Sequence, residues 1–186
     1  MKGTEAFEEL IPLLSDEPVV HANGYICRES FKVKDRKGNF YMIGSMGLAS
    51  SIGLGAALCC PDKKVIIFDG DGNILMSMGN LALIGATAPR NLVHVVFDNE
   101  VYESTGSQRS LSSDVQLENI AKSSGYRLAV RVDKKDELKP VFQKMLKEEG
   151  PSFLLIKVEP NFDSATGRVT HTPEEIKSRF MDSLCS

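Results

Sequence analysis

The stretch VIIFDGDGN, residues 65–73, decides the fold. Its four leading apolar residues form a short continuous run, which is typical of a strand buried on both faces of a parallel sheet. Two carboxylates follow, Asp69 and Asp71, in a glycine-rich turn that opens a helix and offers free N–H groups to an anion. Gly70 and Gly72 let the backbone approach a ligand closely. Because a hard cation can join a carboxylate to a phosphate oxygen, the turn predicts a metal and phosphate site.

Strand and helix patterns alternate on both sides of this turn. Extended patterns occur at residues 18–22, 40–43, 65–68, 92–97, 128–132 and 153–158. Helical patterns occur at residues 7–14, 47–60, 74–88 and 138–146, after a capping box at Ser113-x-x-Gln116, and from Thr172-Pro173 onward. The charged segment 28–39 is predicted to be an exposed loop. The alternation predicts an α/β domain with a mostly parallel sheet.

Length and charge narrow the possible functions. The 186 residues fit one domain, which we expect to span residues 1–186. Lys and Arg number 22 and Asp and Glu 25, so the net charge is 22 − 25 = −3. This balance argues against a general nucleic-acid binder.

Cysteine usage and hydropathy predict a cytoplasmic protein. The four cysteines form no C-x-x-C pair, and we expect reduced thiols, with Cys59 and Cys60 as buried packing at a helix end. Residues 40–60 carry no charge and are long enough to cross a bilayer, but glycine and serine dilute their hydrophobicity. A strand leading into a buried helix explains them better, and the acidic N-terminus does not resemble a signal peptide.

Two predicted helices, 46–60 and 73–88, contain no charged residue. A surface helix normally carries a charged face, and a small domain has little depth for two fully buried helices. We therefore expect their outer faces to pack on another chain.

One interpretation of the acidic turn is a calcium loop of the EF-hand type. Asp69, Asp71 and Asn73 match its first three ligand positions. The sixth position should be glycine and is Ile74, and the twelfth should be glutamate and is Asn80. The EF-hand interpretation therefore fails.

A second interpretation is a phosphatase. The turn resembles the first motif of haloacid-dehalogenase-like phosphatases, which would make Asp69 the nucleophile and Asp71 the acid/base. Asn73 stands where that motif usually has Thr or Val, and no later strand ends in paired acidic residues. The phosphatase is kept as an alternative enzyme class.

A third interpretation uses a second site. Asn73 to Phe97 spans 25 residues and is followed by Asp98-Asn99. This resembles the thiamine diphosphate enzymes, whose motif is Gly-Asp-Gly, a spacer of such length, and Asn-Asn. The resemblance implies a three-layer, doubly wound, thiamine diphosphate-binding fold, with Mg²⁺ held by the Asp71 carboxylate, the Asn99 amide oxygen and the Val101 carbonyl. Asp98 departs from the motif, which has Asn at this position. Since the ligand position is the next residue, Asn99, the departure affects the expected local hydrogen bonds more than the expected metal site.

A third match is Gly44-Ser45-Met46-Gly47. It resembles a segment of decarboxylases and acetohydroxyacid synthases in which an apolar residue folds the cofactor into a V shape. Met46 would have this role, and the Gly44 carbonyl would accept from the cofactor's amino group. Gly70 and Gly72 of the acidic turn are also candidates for binding the cofactor. The further candidates are Asn23, Gly24, Ser45, Asn73, Tyr102, Glu103, Ser104 and Thr105. For several of these, a plain role in a turn or a helix cap is the alternative.

Longer blocks resemble the phosphonopyruvate and sulfopyruvate decarboxylases, at residues 23–29, 39–55, 69–72, 91–108 and 172–180. The resemblance implies decarboxylation of a three-carbon 2-oxo acid with a terminal anionic group to an aldehyde and CO₂. The alternatives are another thiamine diphosphate enzyme subunit, such as an acetolactate synthase-like one, and an inactive regulatory subunit.

The family also needs a glutamate on a pyrimidine-binding domain, which this sequence does not resemble. We therefore assign no catalytic residue in the chain, and not Glu29, Glu100 or Glu103. The resemblance implies an alpha-type partner subunit and a homo- and hetero-oligomeric assembly. For the substrate's terminal anion, Arg28 and Arg109 are candidates, each more often a surface residue. His21 and His94, on predicted strands, are expected to be packed or capped.

Overall fold

The computed structural model describes residues 1–161 and 166–185, except for the side chain of Cys185. Its strands are β1 (Val19–His21), β2 (Asn39–Tyr41), β3 (Val65–Gly70), β4 (Leu92–Asp98), β5 (Val101–Tyr102), β6 (Gln108–Arg109), β7 (Leu128–Val132) and β8 (Ser152–Lys157). Its helices are α1 (Gly3–Leu10), α2 (Tyr25–Val33), α3 (Ala49–Cys59), α4 (Asp71–Met76), α5 (Gly79–Thr87), α6 (Leu117–Ser123), α7 (Lys135–Lys147) and α8 (Pro173–Cys185).

Six strands form one parallel sheet in the order β2-β1-β3-β4-β8-β7, and β5 and β6 form a separate antiparallel pair. The chain moves outward from β1 to β2 and then returns to place β3 on the other side of β1. Its direction across the sheet therefore reverses between β1 and β3. Ligands of open α/β sheets bind at such a switch point, outside the carboxyl ends of the strands.

Alternate strand residues pack on opposite faces of the sheet. In β3, Val65 and Ile67 contact the layer built by α3, α5 and α6, whereas Ile66 and Phe68 contact the layer built by α1 and α7. Both faces are covered, which explains why the strand is apolar throughout instead of alternating. The predicted three-layer, doubly wound α/β fold is confirmed.

The predicted helix over 74–88 is two helices. The first starts three residues earlier than expected, at Asp71, and the chain breaks between Met76 and Gly79. The predicted capping box at Ser113 is wrong, because Ser113 closes a short 3₁₀ turn and α6 begins only at Leu117. At Thr172 the prediction is confirmed: its hydroxyl accepts from the Glu175 N–H at 3.2 Å, and Glu175 accepts from the Thr172 N–H at 2.7 Å.

The prediction of an exposed loop at 28–39 is also wrong, because residues 25–33 form helix α2. Polar residues of this helix are buried with partners. Ser30 Oγ lies 2.7 Å from His21 Nε2, and Glu29 accepts from the Asn161 side chain at 2.6 Å. A polar sequence was therefore mistaken for an exposed one.

The charge-free helices α3 and α5 leave large apolar side chains in solvent. Leu58 on α3 is 54% exposed and Leu83 on α5 is 52% exposed. Leu48 and Met76, at the neighbouring helix ends, are also exposed. Cys59 is exposed and not buried as expected, because it lies on this outer face at the end of α3. In the described part of the chain, no helix is long and apolar enough to cross a membrane.

Candidate functional site

A cleft opens at the switch point between β1 and β3. Four separate segments meet there: the turn after β1, the Met46 segment, the acidic turn after β3 and the loop after β4. The lining residues are Asn23, Gly24, Tyr25, Ile26, Met46, Gly70, Asp71, Gly72, Asn73, Phe97, Asn99, Val101, Tyr102, Glu103 and Ser104. Residues as far apart in sequence as Asn23 and Ser104 therefore share one site.

Asp71 is the buried carboxylate of this cleft, with 3% of its surface exposed. Its Oδ2 accepts a hydrogen bond from the Ser110 hydroxyl, and Ser112 Oγ lies 3.1 Å from the same oxygen. No described Lys or Arg forms an ion pair with it. Burial raises the pKa of Asp71 to about 6, and the negative charge of Asp98 acts in the same direction. The site therefore holds a carboxylate in need of a cation.

Asp98, the departure from the Asn-Asn motif, has its own partners. Its Oδ2 accepts from Lys157 Nζ at 2.8 Å, and its Oδ1 accepts from Ser112 Oγ at 2.7 Å and from the Glu100 N–H at 3.2 Å. Lys157, at the end of β8, therefore compensates the charge that replaces the neutral asparagine.

The loop after β4 presents Asn99 and Val101 beside the acidic turn. Asn99 Oδ1 accepts from the Val101 N–H at 3.1 Å, which folds the loop back on itself. Asn99 Nδ2 donates to Glu103 at 2.6 Å. The amide is thus oriented with its nitrogen toward a carboxylate, and its oxygen lies near the backbone of Val101. Both residues line the cleft together with Asp71.

A second pair of carboxylates lies behind the loop. Asn161 bridges them: its N–H donates to Glu103 at 2.9 Å and its side chain donates to Glu29 at 2.6 Å. The pKa of Glu103 is raised to about 7, chiefly by burial and secondly by the charge of Glu29. Burial likewise raises the pKa of Glu29. Two carboxyl groups with raised pKa values therefore share this side of the cleft.

The Met46 segment, residues 44–47, is connected to the acidic turn and to α5 by two hydrogen bonds of the Gly47 backbone. The Gly47 N–H donates to Asn73 Oδ1 at 2.8 Å, and the Gly47 carbonyl accepts from Asn80 at 3.3 Å. Gly47 has a φ of +94°, and a Cβ there would lie 2.5 Å from Ser77 Oγ, so glycine is required. The side-chain oxygen of Asn73 therefore accepts from the Gly47 N–H.

Met46 and Tyr102 close over Gly72. A Cβ on Gly72 would lie 2.6 Å from the Tyr102 ring and 3.1 Å from Met46 Cε. The missing side chain lets both groups approach the acidic turn. Met46 thus lies at the cleft, where the sequence analysis expected an apolar prop.

Several sequence candidates do not line this cleft. Gly44 and Ser45 face a neighbouring apolar groove, together with Leu48. Thr105 is exposed, and its hydroxyl lies 2.9 Å from Gln108 Oε1 within its own loop. Arg109 is exposed, does not line the cleft and is paired with Asp114 at 2.8 Å.

The two strand histidines are packed, as expected. His21 Nδ1 lies 3.2 Å from the Phe40 carbonyl. His94 lies 3.2 Å from Asp69 Oδ2 and 3.1 Å from the hydroxyl of Tyr126. Asp69 also accepts from the Gly70 N–H at 2.9 Å and is completely buried.

Sequence reasoning missed Ser110 and Ser112, which hold Asp71. They lie in a serine-rich stretch after the loop that follows β4, and serine is so common in turns that its presence there gave no signal. Helix α2 was missed as well, and with it the buried position of Glu29.

Two features test whether the cleft suits thiamine diphosphate with a cation. Asn23 Oδ1 is buried and has no donor among the described residues, so a ligand with an N–H group would satisfy it. Asp71 offers one carboxylate beside neutral oxygen ligands. No described group of three or more His, Cys, Asp or Glu forms a metal cluster, and a magnesium ion that also binds a diphosphate needs no such cluster. The residues present fit the cofactor.

Comparisons with known proteins agree with this geometry. Residues 27–156 match the family described as thiamine pyrophosphate enzyme, C-terminal TPP binding domain. Phosphonopyruvate decarboxylase of Streptomyces viridochromogenes is 42% identical over 94% of this chain, which spans only 44% of that relative. Sulfopyruvate decarboxylase subunit beta of Methanococcus maripaludis is 39% identical, over 97% of this chain and 96% of its own length.

A solved structure shares the fold. Benzoylformate decarboxylase from Polynucleobacter necessarius superposes with a TM-score of 0.71 at 17% identity, over 91% of this chain and 34% of its own. The family match covers more than half of the chain, and a relative is similar over nearly its whole length. This chain belongs to the thiamine pyrophosphate enzymes and carries their C-terminal TPP-binding domain.

Proposed function

We propose that the chain is the diphosphate-binding subunit of a cytoplasmic decarboxylase that uses thiamine diphosphate and Mg²⁺. Its substrate would be a three-carbon 2-oxo acid with a terminal sulfonate or phosphonate, and its products an aldehyde and CO₂. The names of the phosphonopyruvate and sulfopyruvate relatives support this class of substrate.

One observation carries the proposal: the acidic turn, the loop after β4 and Met46 line one cleft at the switch point. In this proposal Asp71, Asn99 and the Val101 carbonyl hold Mg²⁺, and the cation holds the diphosphate. Ser110 fixes the Asp71 carboxylate by donating to its Oδ2, and Ser112 Oγ lies beside the same oxygen.

The remaining residues position the cofactor. Met46, positioned by the hydrogen bonds of Gly47, supports the ring system of the cofactor from one side. Asn23 Oδ1 accepts a hydrogen bond from the cofactor. When bound, thiamine diphosphate supplies the ring that takes up the electron pair released as CO₂ departs. Tyr102, packed against Gly72, helps to exclude water from the cleft.

The active site needs a second chain in this proposal. An alpha-type subunit with a pyrimidine-binding domain would bring the glutamate that contacts the cofactor ring. The exposed apolar side chains on α3 and α5, such as Leu58 and Leu83, fit a surface that packs on a partner. The chain is expected to form a homo- and hetero-oligomer and to be inactive alone.

The burial of Asp69 speaks against the phosphatase alternative. A nucleophile must reach the phosphorus atom, but Asp69 is completely buried, and both of its oxygens lie against described partners, the Gly70 N–H and His94. Phosphatase activity that is lost in Asp69→Asn would overturn this argument.

Calorimetry tests the cofactor site. Thiamine diphosphate should bind to the chain, or to the chain with its partner, only when Mg²⁺ is present. Asp71→Ala should abolish binding, whereas the matched variant Asp133→Ala, at an exposed residue paired with Arg131, should bind normally. Normal binding by Asp71→Ala would defeat the site assignment.

Turnover tests the reaction. The co-purified pair should release CO₂ from sulfopyruvate or phosphonopyruvate and should not condense pyruvate to acetolactate. Acetolactate formation would favour the synthase-like alternative. Cofactor binding without any turnover by the pair would favour the regulatory alternative.

A further inference from the structure

A second cleft adjoins the cofactor cleft on the side of helix α2. The two clefts share Asn23, Gly24 and Ser104. A Cβ on Gly24 would lie 3.6 Å from Ser104 Oγ, so this hydroxyl stands at the boundary between them. The other residues that line the second cleft are Cys27, Arg28, Met42, Ile43, Arg168 and Val169.

The two clefts have opposite charge. The described residues that line the cofactor cleft include two carboxylates, Asp71 and Glu103, and no Lys or Arg. Those of the second cleft include two arginines, Arg28 and Arg168, and no Asp or Glu. In a chain of net charge −3, this is a local concentration of positive charge.

These two arginines are also the ones without ion pairs. The sequence contains eight arginines. Six lie within 4 Å of a carboxylate oxygen: Arg36, Arg90, Arg109, Arg127, Arg131 and Arg179. Among the described residues, Arg28 and Arg168 have no carboxylate partner, and both line the same cleft. An anion is the ligand that such a pair lacks.

Arg28 is oriented for such a ligand. It lies in the first turns of α2, is half-buried, and its Cζ is 5.1 Å from the centre of the Tyr25 ring. Stacking on an aromatic face leaves the N–H groups at the edge of the guanidinium free to donate. Tyr25 itself lines the cofactor cleft, so the guanidinium stands next to the expected position of the cofactor.

We propose that Arg28 and Arg168, with the Ser104 hydroxyl, bind the terminal sulfonate or phosphonate of the substrate. The inference rests on the proposed function and deepens it. Three oxygens on a tetrahedral anion match a guanidinium fork and a hydroxyl donor. A three-carbon acid is short, so its anionic end must lie close to the cofactor, as this adjoining cleft does. The cofactor's diphosphate is assigned to the other cleft, where a cation joins it to Asp71.

The kinetic test uses Arg28→Gln, Arg168→Gln and the double variant in the assembled enzyme. Each loss of a charged hydrogen bond should raise KM for sulfopyruvate or phosphonopyruvate about 10- to 100-fold, with little change in kcat. Decarboxylation of pyruvate, which lacks the terminal anion, should be unaffected. Arg109→Gln is the matched control, because this arginine is exposed and lies outside both clefts, and it should behave as the unmodified chain.

A binding readout keeps the inference separate from the proposed function. In the full chain, the side-chain Nε–Hε resonances of Arg28 and Arg168 should shift saturably with sulfoacetate or phosphonoacetate and stay unchanged with propionate. Shifts without any CO₂ release would defeat the proposed function and leave the anion site standing. Turnover with unchanged KM in both variants would overturn the anion site alone. Weaker thiamine diphosphate binding in the variants would instead assign the arginines to the cofactor.

Discussion

The side-chain oxygen of Asn73 accepts a hydrogen bond of 2.8 Å from the backbone N–H of Gly47. This single contact joins two motifs that are 26 residues apart, the acidic turn and the Met46 segment. Asn80 holds the other side of the same residue by donating to the Gly47 carbonyl. The position of Met46 in the cleft therefore depends on the side chain that follows the Gly-Asp-Gly turn.

Asn73→Ala should loosen this connection. The Gly47 N–H would remain buried without its acceptor, at a cost of about 1–3 kcal/mol in the free energy of unfolding. Urea unfolding measures this loss, and calorimetry should show weaker cofactor binding. The exposed Asn119→Ala is the control and should change stability by less than about 0.5 kcal/mol. Unchanged stability and binding in Asn73→Ala would show that the contact does not position Met46.

Two glycines on helix α3 provide a matched pair of stability variants. Gly53 packs on β3, and an added Cβ would lie 2.3 Å from Ile67 Cγ1. Gly53→Ala should therefore cost about 1–3 kcal/mol through overpacking. Gly55 faces open space, so Gly55→Ala should gain up to about 1 kcal/mol from helix propensity. Thermal unfolding of the two variants compares them directly, and equal effects would contradict this packing.

The sequence predicted the sheet because its central strands are buried on both faces and therefore read as continuous apolar runs, such as residues 65–68. It predicted the cleft because Asp71 and Asn99 each follow such a run. It failed on α2, since the apolar positions of that helix are few and its buried residues, Glu29 and Ser30, are polar.

The details inside the cleft were less accessible. Whether Asn73 would face a ligand or a backbone N–H depends on how Gly47 approaches it in three dimensions. The pairing of Asp98 with Lys157 depends on the neighbouring position of β4 and β8, whose residues 98 and 157 lie side by side. Such contacts across the sheet leave no local pattern.

Replacing Lys157 should lower the free energy of unfolding, because the charge of Asp98 would no longer be compensated. Asp98 is 2% exposed, so Lys157→Met leaves a buried carboxylate without its cation and should lower stability by about 1–3 kcal/mol. Adding Asp98→Asn, which restores the usual asparagine of the motif, should recover most of this loss. Urea unfolding of both variants measures the recovery. Lys135→Met, at an exposed pair with Glu9, should be nearly neutral.

A double variant as unstable as Lys157→Met alone would contradict this account. The lysine would then stabilise β8 by its packing or by its second ion pair, with Glu100, and not by its charge beside Asp98.

His21 should make stability depend on pH. Burial lowers the pKa of His21 to about 3, whereas an unfolded histidine titrates near 6.5. Between these values only the unfolded chain takes up the proton, so stability falls as the pH drops from about 6.5 toward 3. The slope for one group is at most about 1.4 kcal/mol per pH unit, and its contribution is fully retained above pH 6.5.

Urea unfolding at several pH values isolates this effect as the difference between the unmodified chain and His21→Asn. The difference should shrink as the pH falls through this window. A constant difference between pH 7 and 4 would mean that His21 is protonated in the folded state.

Association should depend on the apolar faces of α3 and α5. The double variant Leu58→Glu, Leu83→Glu replaces two apolar side chains that are more than half exposed with charged ones. The fold should be retained, but an apolar surface that contacts a partner should be disrupted. Each 1.4 kcal/mol lost weakens association tenfold, and we expect at least that change in sedimentation and in co-purification with the partner chain. Met181→Glu, on the charged helix α8, should associate normally. If the unmodified chain sediments as a monomer and the double variant still co-purifies with the partner, these faces are free surface.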